Sequence, residues 1–246
     1  MTVKNFFEDN LVRFGVLLSL ALVIGAFSIS SGISNRGAQE YITVTGSATK
    51  MITADHAEWT IAINRQSNSL KDGYTGVQKD INLVKQFLLE HKVPEENITL
   101  GSLNNNTLYT KSSQGYDTNT IEGYSVNQNV QVELDDPKLL QSISQDINQL
   151  VLQGVSLNNN APAYYYTKLD DLKVEMLGEA TKNAVERGRA IARSTGRDVG
   201  VIRSANVGVF QITAKNSTDV SDYGIYDTTT IDKKVTAVVN ANFTIR

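Results

Sequence analysis

The sequence predicts an α+β fold: one domain of paired antiparallel strands and three helices, preceded by one N-terminal transmembrane helix. Three observations carry this. Residues 14–35 contain no charge, apolar residues from 41 onward switch between strand and helix periodicity, and the strands come in pairs mixed with helices rather than alternating with them singly.

FGVLLSLALVIGAFSISSGI, Phe14 to Ile33, lies within 22 consecutive uncharged positions between Arg13 and Arg36. About 20 helical residues cover a hydrocarbon core of roughly 30 Å. A soluble core helix of that length carries a polar stripe, and this run has none. Cleavage is the closer rival, because Ala26-Phe27-Ser28 and Ser28-Ile29-Ser30 place small residues as a signal peptidase requires. Against it, the charges before the run are mixed (Lys4 and Arg13, Glu8 and Asp9), and the run outlasts a usual apolar region of about 7–15 residues. A retained signal-anchor is the reading adopted. Lys4, Arg13 and the amino terminus precede it while Arg36 and Lys50 follow, so the positive-inside rule leaves the N-terminus in the cytoplasm. The expected organisation is a cytoplasmic N-terminus (1–13), a transmembrane signal-anchor (14–33), a linker (34–40) and one extracytoplasmic domain (41–246).

Ile42 and Val44 alternate with threonines up to Gly46, and Ala57, Trp59, Ile61 and Ile63 alternate with polar residues; both read as strands. Leu70, Tyr74, Val77, Ile81, Val84 and Leu88 step by four and three, an amphipathic helix that Pro94 follows. A strand over Ile98 to Leu108, the turn TKSSQGYDTNT and a long strand with Tyr124, Val126, Val130, Val132 and Leu134 on one face make a hairpin. Asp135-Asp136-Pro137 starts a second helix, with an acidic cap and proline at its first position. Val155, Leu157 and Tyr164 to Tyr166 are extended, interrupted by Asn158-Asn159-Asn160 and Pro162. The longest helix is predicted from Asp170 to Thr195, with Met176, Ala180, Ala184, Gly188 and Ala192 as a stripe of mostly small residues that lets it lie close to a sheet. Strands near Val201 to Ile212 and Val235 to Ile245 finish the chain. Between them the polar stretch Ala214 to Asp232 is expected to project as a loop.

The 23 basic and 26 acidic residues give a net charge of −3, which offers no excess to neutralise phosphates and argues against nucleic acid. Without cysteine there is no disulfide, thiolate metal site or cysteine nucleophile. His56 and His91 share no metal-ligand spacing, and Asp219, Asp222 and Asp227 lack the alternation of a calcium loop. Asp135-Asp136 and Asp170-Asp171 stand where carboxylates cap helices. Arg187, Arg189 and Arg193 form a solvated helix face or a contact for an anion or partner. No nucleophile elbow, phosphate loop or dinucleotide fingerprint is present. No catalytic residue, cofactor or metal site is therefore expected. Tyr164, Tyr165 and Tyr166 either pack under neighbouring loops or anchor an interface, where tyrosine is enriched.

Three stretches in order resemble the SIMPL-domain family, long catalogued as a domain of unknown function: ITVTGSATKMITADHAEWTIAI, IEGYSVNQNVQVEL with Gly123 and Tyr124, and LGEATKNAVERGRAIARSTGRDVG with Ala180, Ala184, Ala192, Gly196 and Gly200. Ala54 stands where the family usually has proline, and Gly188 replaces a usual alanine. The resemblance covers roughly residues 41–246. It implies an α+β fold, a bacterial cell-envelope location, self-association into larger assemblies and, in some relatives, a link to stress resistance. The expected function is thus a single-pass inner-membrane protein whose periplasmic or otherwise extracytoplasmic domain forms a homo-oligomeric scaffold or binding assembly. A channel-like ring and a periplasmic hydrolase using loop carboxylates are the alternatives. Val201 to Ile212 has one charge, Arg203, and Val235 to Ile245 has none, so contacts are expected through these strands and the tyrosine run. The interface residues named are Tyr164, Tyr165, Tyr166, Val235, Asn240 and Phe243.

Overall fold

The computed structural model describes Gly15, residues 18–28, Ser30 and residues 40–246. The expected cytoplasmic segment 1–13 and linker residues 34–39 lie outside the described residues, as do seven residues of the expected anchor: 14, 16, 17, 29 and 31–33. The described part of 14–33 is helical, and no helix among the described residues is long and apolar enough to cross a membrane. The chain divides into two compact units. The larger comprises residues 46–183 and 207–239; the smaller takes in the described residues up to Thr45, with 184–206 and 240–246.

The larger unit is built on β2 (His56–Ser67) and β5 (Asp117–Leu134), antiparallel from Ala57 opposite Leu134 to Ser67 opposite Tyr124. β4 (Asn104–Lys111) pairs with β5 as the predicted hairpin, turned at Gly115 with positive φ. The strand predicted over Ile98 to Leu108 is divided: β3 (Ile98–Leu100) precedes a break before β4. The cause is a one-residue change of register, from Leu100 opposite Val130 to Asn104 opposite Asn127. The buried Gln128 fills the irregularity, donating its amide to Gly101 O at 2.8 Å. On the far side of β2 lie the short strands β6 (Leu157–Asn159) and β7 (Ala163–Tyr165).

Helix α1 (Leu70–Glu90) packs on β2 and β5 through the predicted stripe, with Val77, Ile81, Val84 and Leu88 fully buried. It ends before Lys92, at φ 66 in the left-handed region, and Pro94. The chain reaches α1 through a tight corner: a Cβ on Gly123 would stand 2.8 Å from Ser67 O, and one on Gly73 would meet Val126 Cγ2 at 2.8 Å. The stripe of α1 carries one buried charge, Asp80. Arg65 grips it with Nε and Nη2 at 2.6 and 2.8 Å and donates onward to Gly154 O at 2.6 Å. A charge-assisted fork of this kind joins β2, α1 and the turn before β6.

Asp136 caps α2 (Pro137–Asp146) as predicted, its Oδ1 accepting from Leu139 N at 3.0 Å. Within residues 40–246 four α-helices replace the three expected, because a tightened turn at the buried Ile147, with Leu150 N bonded to Ile147 O, separates α2 from α3 (Asn148–Leu152).

The second sheet has the order β1 (Tyr41–Thr53), β11 (Asp232–Ile245), β9 (Gln211–Ala214), β10 (Ile225–Tyr226), with β8 (Val199–Val207) also on β11. In the larger unit β11 pairs with β9, Val235 opposite Ile212. Of the stretch expected to project, Val220 and Tyr223 do stand exposed, but residues 225–232 are fastened down. β10 pairs with β9, Tyr164 N donates to Thr228 O, Ala54 N to Ile231 O, and Asp227 N to Ile212 O. The fully buried Lys233 donates to Asp227 O and Thr230 O, each at 2.5 Å, and faces Asp227 Oδ2 at 3.5 Å. Burial pushes the Asp227 carboxyl up, but the hydroxyls of Thr230 and Thr229, the Thr229 amide and Lys233 outweigh it and lower its pKa to about 2. Burial likewise lowers the pKa of Lys233, against the pull of Asp227.

The smaller unit holds the start of β1, the C-terminal half of α4 (Leu169–Ser194), β8 and the end of β11. Thr43 donates to Asn242 Oδ1 and Thr45 to Asn240 Oδ1, both at 2.6 Å, so β1 and β11 run antiparallel there. Met176, Ala180, Ala184, Gly188 and Ala192, the predicted stripe, are all buried. A Cβ on Gly188 would meet Val199 Cγ2 at 3.3 Å and Val44 and Phe243 at 3.6 Å, which is why the smallest residue sits there.

Two stability measurements follow from these contacts. Gly123→Ala forces a methyl onto the Ser67 carbonyl and is expected to cost about 1–3 kcal/mol in chemical denaturation. Lys233→Met strands Asp227 and two carbonyls and is expected to cost about 3–5 kcal/mol. Since the Asp227 pKa is depressed on folding, its contribution is complete above pH about 4 and is lost as the pH falls through about 2. Asp227→Asn should flatten that part of the acid limb.

Candidate functional site

A sheet must deal with its free edges, since unpaired main-chain groups are templates for another chain. The two outer strands of the second sheet do so differently.

On β1, Ile245 N donates to Glu40 O at 3.1 Å, so alternate residues from Glu40 bond to β11 and the intervening Thr45 and Ser47 direct their main-chain groups outward. Both outward groups are taken by α4. In the smaller unit Arg187 Nη1 donates to Thr45 O at 3.0 Å, and in the larger Ser47 N donates to Asn183 Oδ1 at 3.1 Å. Further along, Lys50 pairs with Glu175 at 2.6 Å, and this hydrogen bond holds the lysine pKa above its ordinary value. Asn183 and Arg187 are four apart, one row of the helix beside the small-residue stripe. The edge of β1 is closed by its own helix.

On β8 nothing comparable is seen. No strand but β11 pairs with it among the described residues. From Val201 to Val207 every residue is exposed, on both faces of the strand. Val201 is 72% exposed, Ile202 45% and Val207 50%, and Arg203 is the one charge in the strand. Ser204 Oγ accepts from Asn242 Nδ2 at 2.8 Å, which puts Ser204 on the Thr43 and Thr45 face. Alternation then puts Arg203, Ala205 and Val207 on the other. This is an apolar, extended, unblocked edge.

The six residues named from the sequence are placed as follows. Val235 and Phe243 lie in the interior, because the apolar face of β11 is the core face. Tyr164 is also buried, and burial pushes its hydroxyl pKa up. Tyr165 is half-buried, with ring centres 6.4 Å from His56 and 6.3 Å from Tyr226; burial, then Glu58, raise its pKa. Tyr166 is half-buried, and Asn240 is exposed and bonded to Thr45. Of the six, only Tyr165, Tyr166 and Asn240 present surface. The sequence marks the single charge of β8 and marks Arg187 as a solvated or contact residue, but not its bond to Thr45 O, nor Asn183, whose only signal is a polar row flanking a small-residue stripe.

Both histidines make local structural contacts. His56 Nδ1 lies 2.8 Å from Asp135 Oδ1, so Asp135 holds a histidine while Asp136 alone caps α2. His91 Nδ1 bonds Phe87 O at 2.8 Å at the end of α1. Among the described residues no three His, Asp or Glu side chains gather as a metal site requires. An open cleft of about 440 Å³ in the larger unit is lined by Leu169, Phe210, Ile212, Tyr223 and Tyr226 among others.

Arg187→Ala removes the closure of Thr45 O. It is expected to lower stability by about 1–2 kcal/mol and to add a slow growth in particle size, beyond the wild-type species, that light scattering detects.

No curated protein matches the sequence. A family model described as SIMPL, protein of unknown function (DUF541), matches residues 42–243, from the second residue of β1 to near the end of β11. The match spans both sheets and agrees with the three stretches that resemble this family in the sequence: the chain belongs to the SIMPL family.

Proposed function

We propose that this SIMPL protein is a non-catalytic scaffold of the bacterial cell envelope, held in the inner membrane by residues 14–33, with its extracytoplasmic domain working as a homo-oligomer. The observation that carries the reading is β8, whose apolar side chains and open edge are exposed in a fold that closes the edge of β1 with its own side chains. An edge of this kind left bare invites uncontrolled pairing, so a specific partner accounts for it better than solvent does. The 22-residue uncharged run supports the anchor. A domain tethered by one span is confined to a plane, where copies meet at high effective concentration.

The test is the native mass of the full-length protein in mild detergent, beside Ile202→Lys. Wild-type protein is expected as a discrete oligomer, and the variant, with an added charge on the exposed strand, as smaller species of unchanged fold. A wild-type monomer at concentrations matching its membrane density contradicts the scaffold. N-terminal sequencing of the mature protein checks the anchor: a start at Met1 or Thr2 supports it, and a start between Ile29 and Ser34 means a cleaved signal.

A further inference from the structure

The sequence of β8 carries a pattern that its role as an open edge does not require. Val201, Ile202, Arg203, Ser204, Ala205, Asn206 and Val207 place a valine three residues to either side of Ser204. We infer that β8 pairs antiparallel with β8 of a second copy about a two-fold axis at Ser204, joining two sheets into one. The inference rests on the homo-oligomer reading and specifies its geometry.

Register decides which pairing is favourable. Antiparallel pairing of identical strands puts the two-fold axis perpendicular to the sheet, so residues opposite each other share a face and the axis passes a residue position. Centred on Ser204, the pairing sets Val201 opposite the second copy's Val207. These are two of the most exposed apolar side chains of the strand. Arg203 then lies opposite the small Ala205, and Ile202 opposite Asn206. Centred on Arg203 instead, the pairing sets two guanidinium groups directly against each other, which is destabilising. Centred on Ile202, it sets Val201 against Arg203; centred on Ala205, it sets Arg203 against Val207. Only the Ser204 centre matches the valines and separates the arginines. The edge of β1 is a poor alternative partner, because Arg187 and Asn183 occupy its outward main-chain groups at Thr45 and Ser47.

The chain has no cysteine, so single-cysteine variants report this register without background. Facing cysteines on paired strands lie within disulfide reach. Ser204→Cys in the full-length protein is expected to form a covalent dimer under mild oxidation, at least about tenfold faster than Arg203→Cys. Arg203→Cys mixed with a size-tagged Ala205→Cys is expected to give the mixed dimer in preference to either self-dimer. Native mass of each reduced variant shows whether assembly persists. If assembly persists and Arg203→Cys self-links faster, the Ser204 register is overturned. If assembly persists and neither variant links, β8 self-pairing is overturned while the oligomer reading stands. If the reduced variants and the wild type are all monomeric, both fall together.

Discussion

Much of this structure depends on how closely α4 lies against the second sheet. Gly188 permits the approach, since any Cβ there would press on Val199, Val44 and Phe243. Seated at that depth, the polar row beside the stripe reaches the neighbouring strand: Arg187 takes Thr45 O and Asn183 takes Ser47 N. One small residue thus bears on which edge of the sheet stays available. A larger residue at 188 would press the helix off Val199, Val44 and Phe243, weaken the packing and withdraw Arg187 from Thr45 O. The same helix leaves β8 exposed from Val201 to Val207.

Elsewhere the fold spends polar groups on fastening rather than on chemistry. Asp80 sits in an apolar helix stripe because Arg65 meets it with two donors, and the same guanidinium ties down Gly154. Lys233 sits on a buried face of β11 because two loop carbonyls and Asp227 surround its ammonium group. Buried charges left unpaired are expensive, so each of these residues specifies where a distant loop must lie. The segment 227–230 is held in this way by Lys233. Its hydrophilic composition reflects internal partners as well as solvent.

Local signals in the sequence were good guides to local structure. Period-two alternation located β2 and β5, four-three spacing located α1, Asp136-Pro137 marked the start of α2, and the small-residue stripe marked the buried face of α4. The misreadings share one physical origin. Alternation shows that Val235 and Phe243 share a face but not that this face meets the core, since an outward apolar face has the same pattern. Three consecutive tyrosines must point different ways, yet only the fold decides that Tyr164 goes inside. The break between β3 and β4 comes from a one-residue offset against β5, which no local pattern encodes. The partners of Lys233 within the loop, and of Arg65 across the unit, are likewise set by the folded chain.

If the sheet edge at β8 is completed by another molecule, as proposed, and the edge at β1 within the chain, the two edges differ in solvent protection. Amide hydrogen exchange on the assembled full-length protein, compared with the same protein diluted or dissociated, separates the two most directly. The account predicts that the amides of Val201, Arg203, Ala205 and Val207, which alternate with those directed at β11, are protected in the assembly and exchange rapidly on dissociation, while the Ser47 amide is protected in both. Rapid exchange of these four amides in the intact assembly would contradict it.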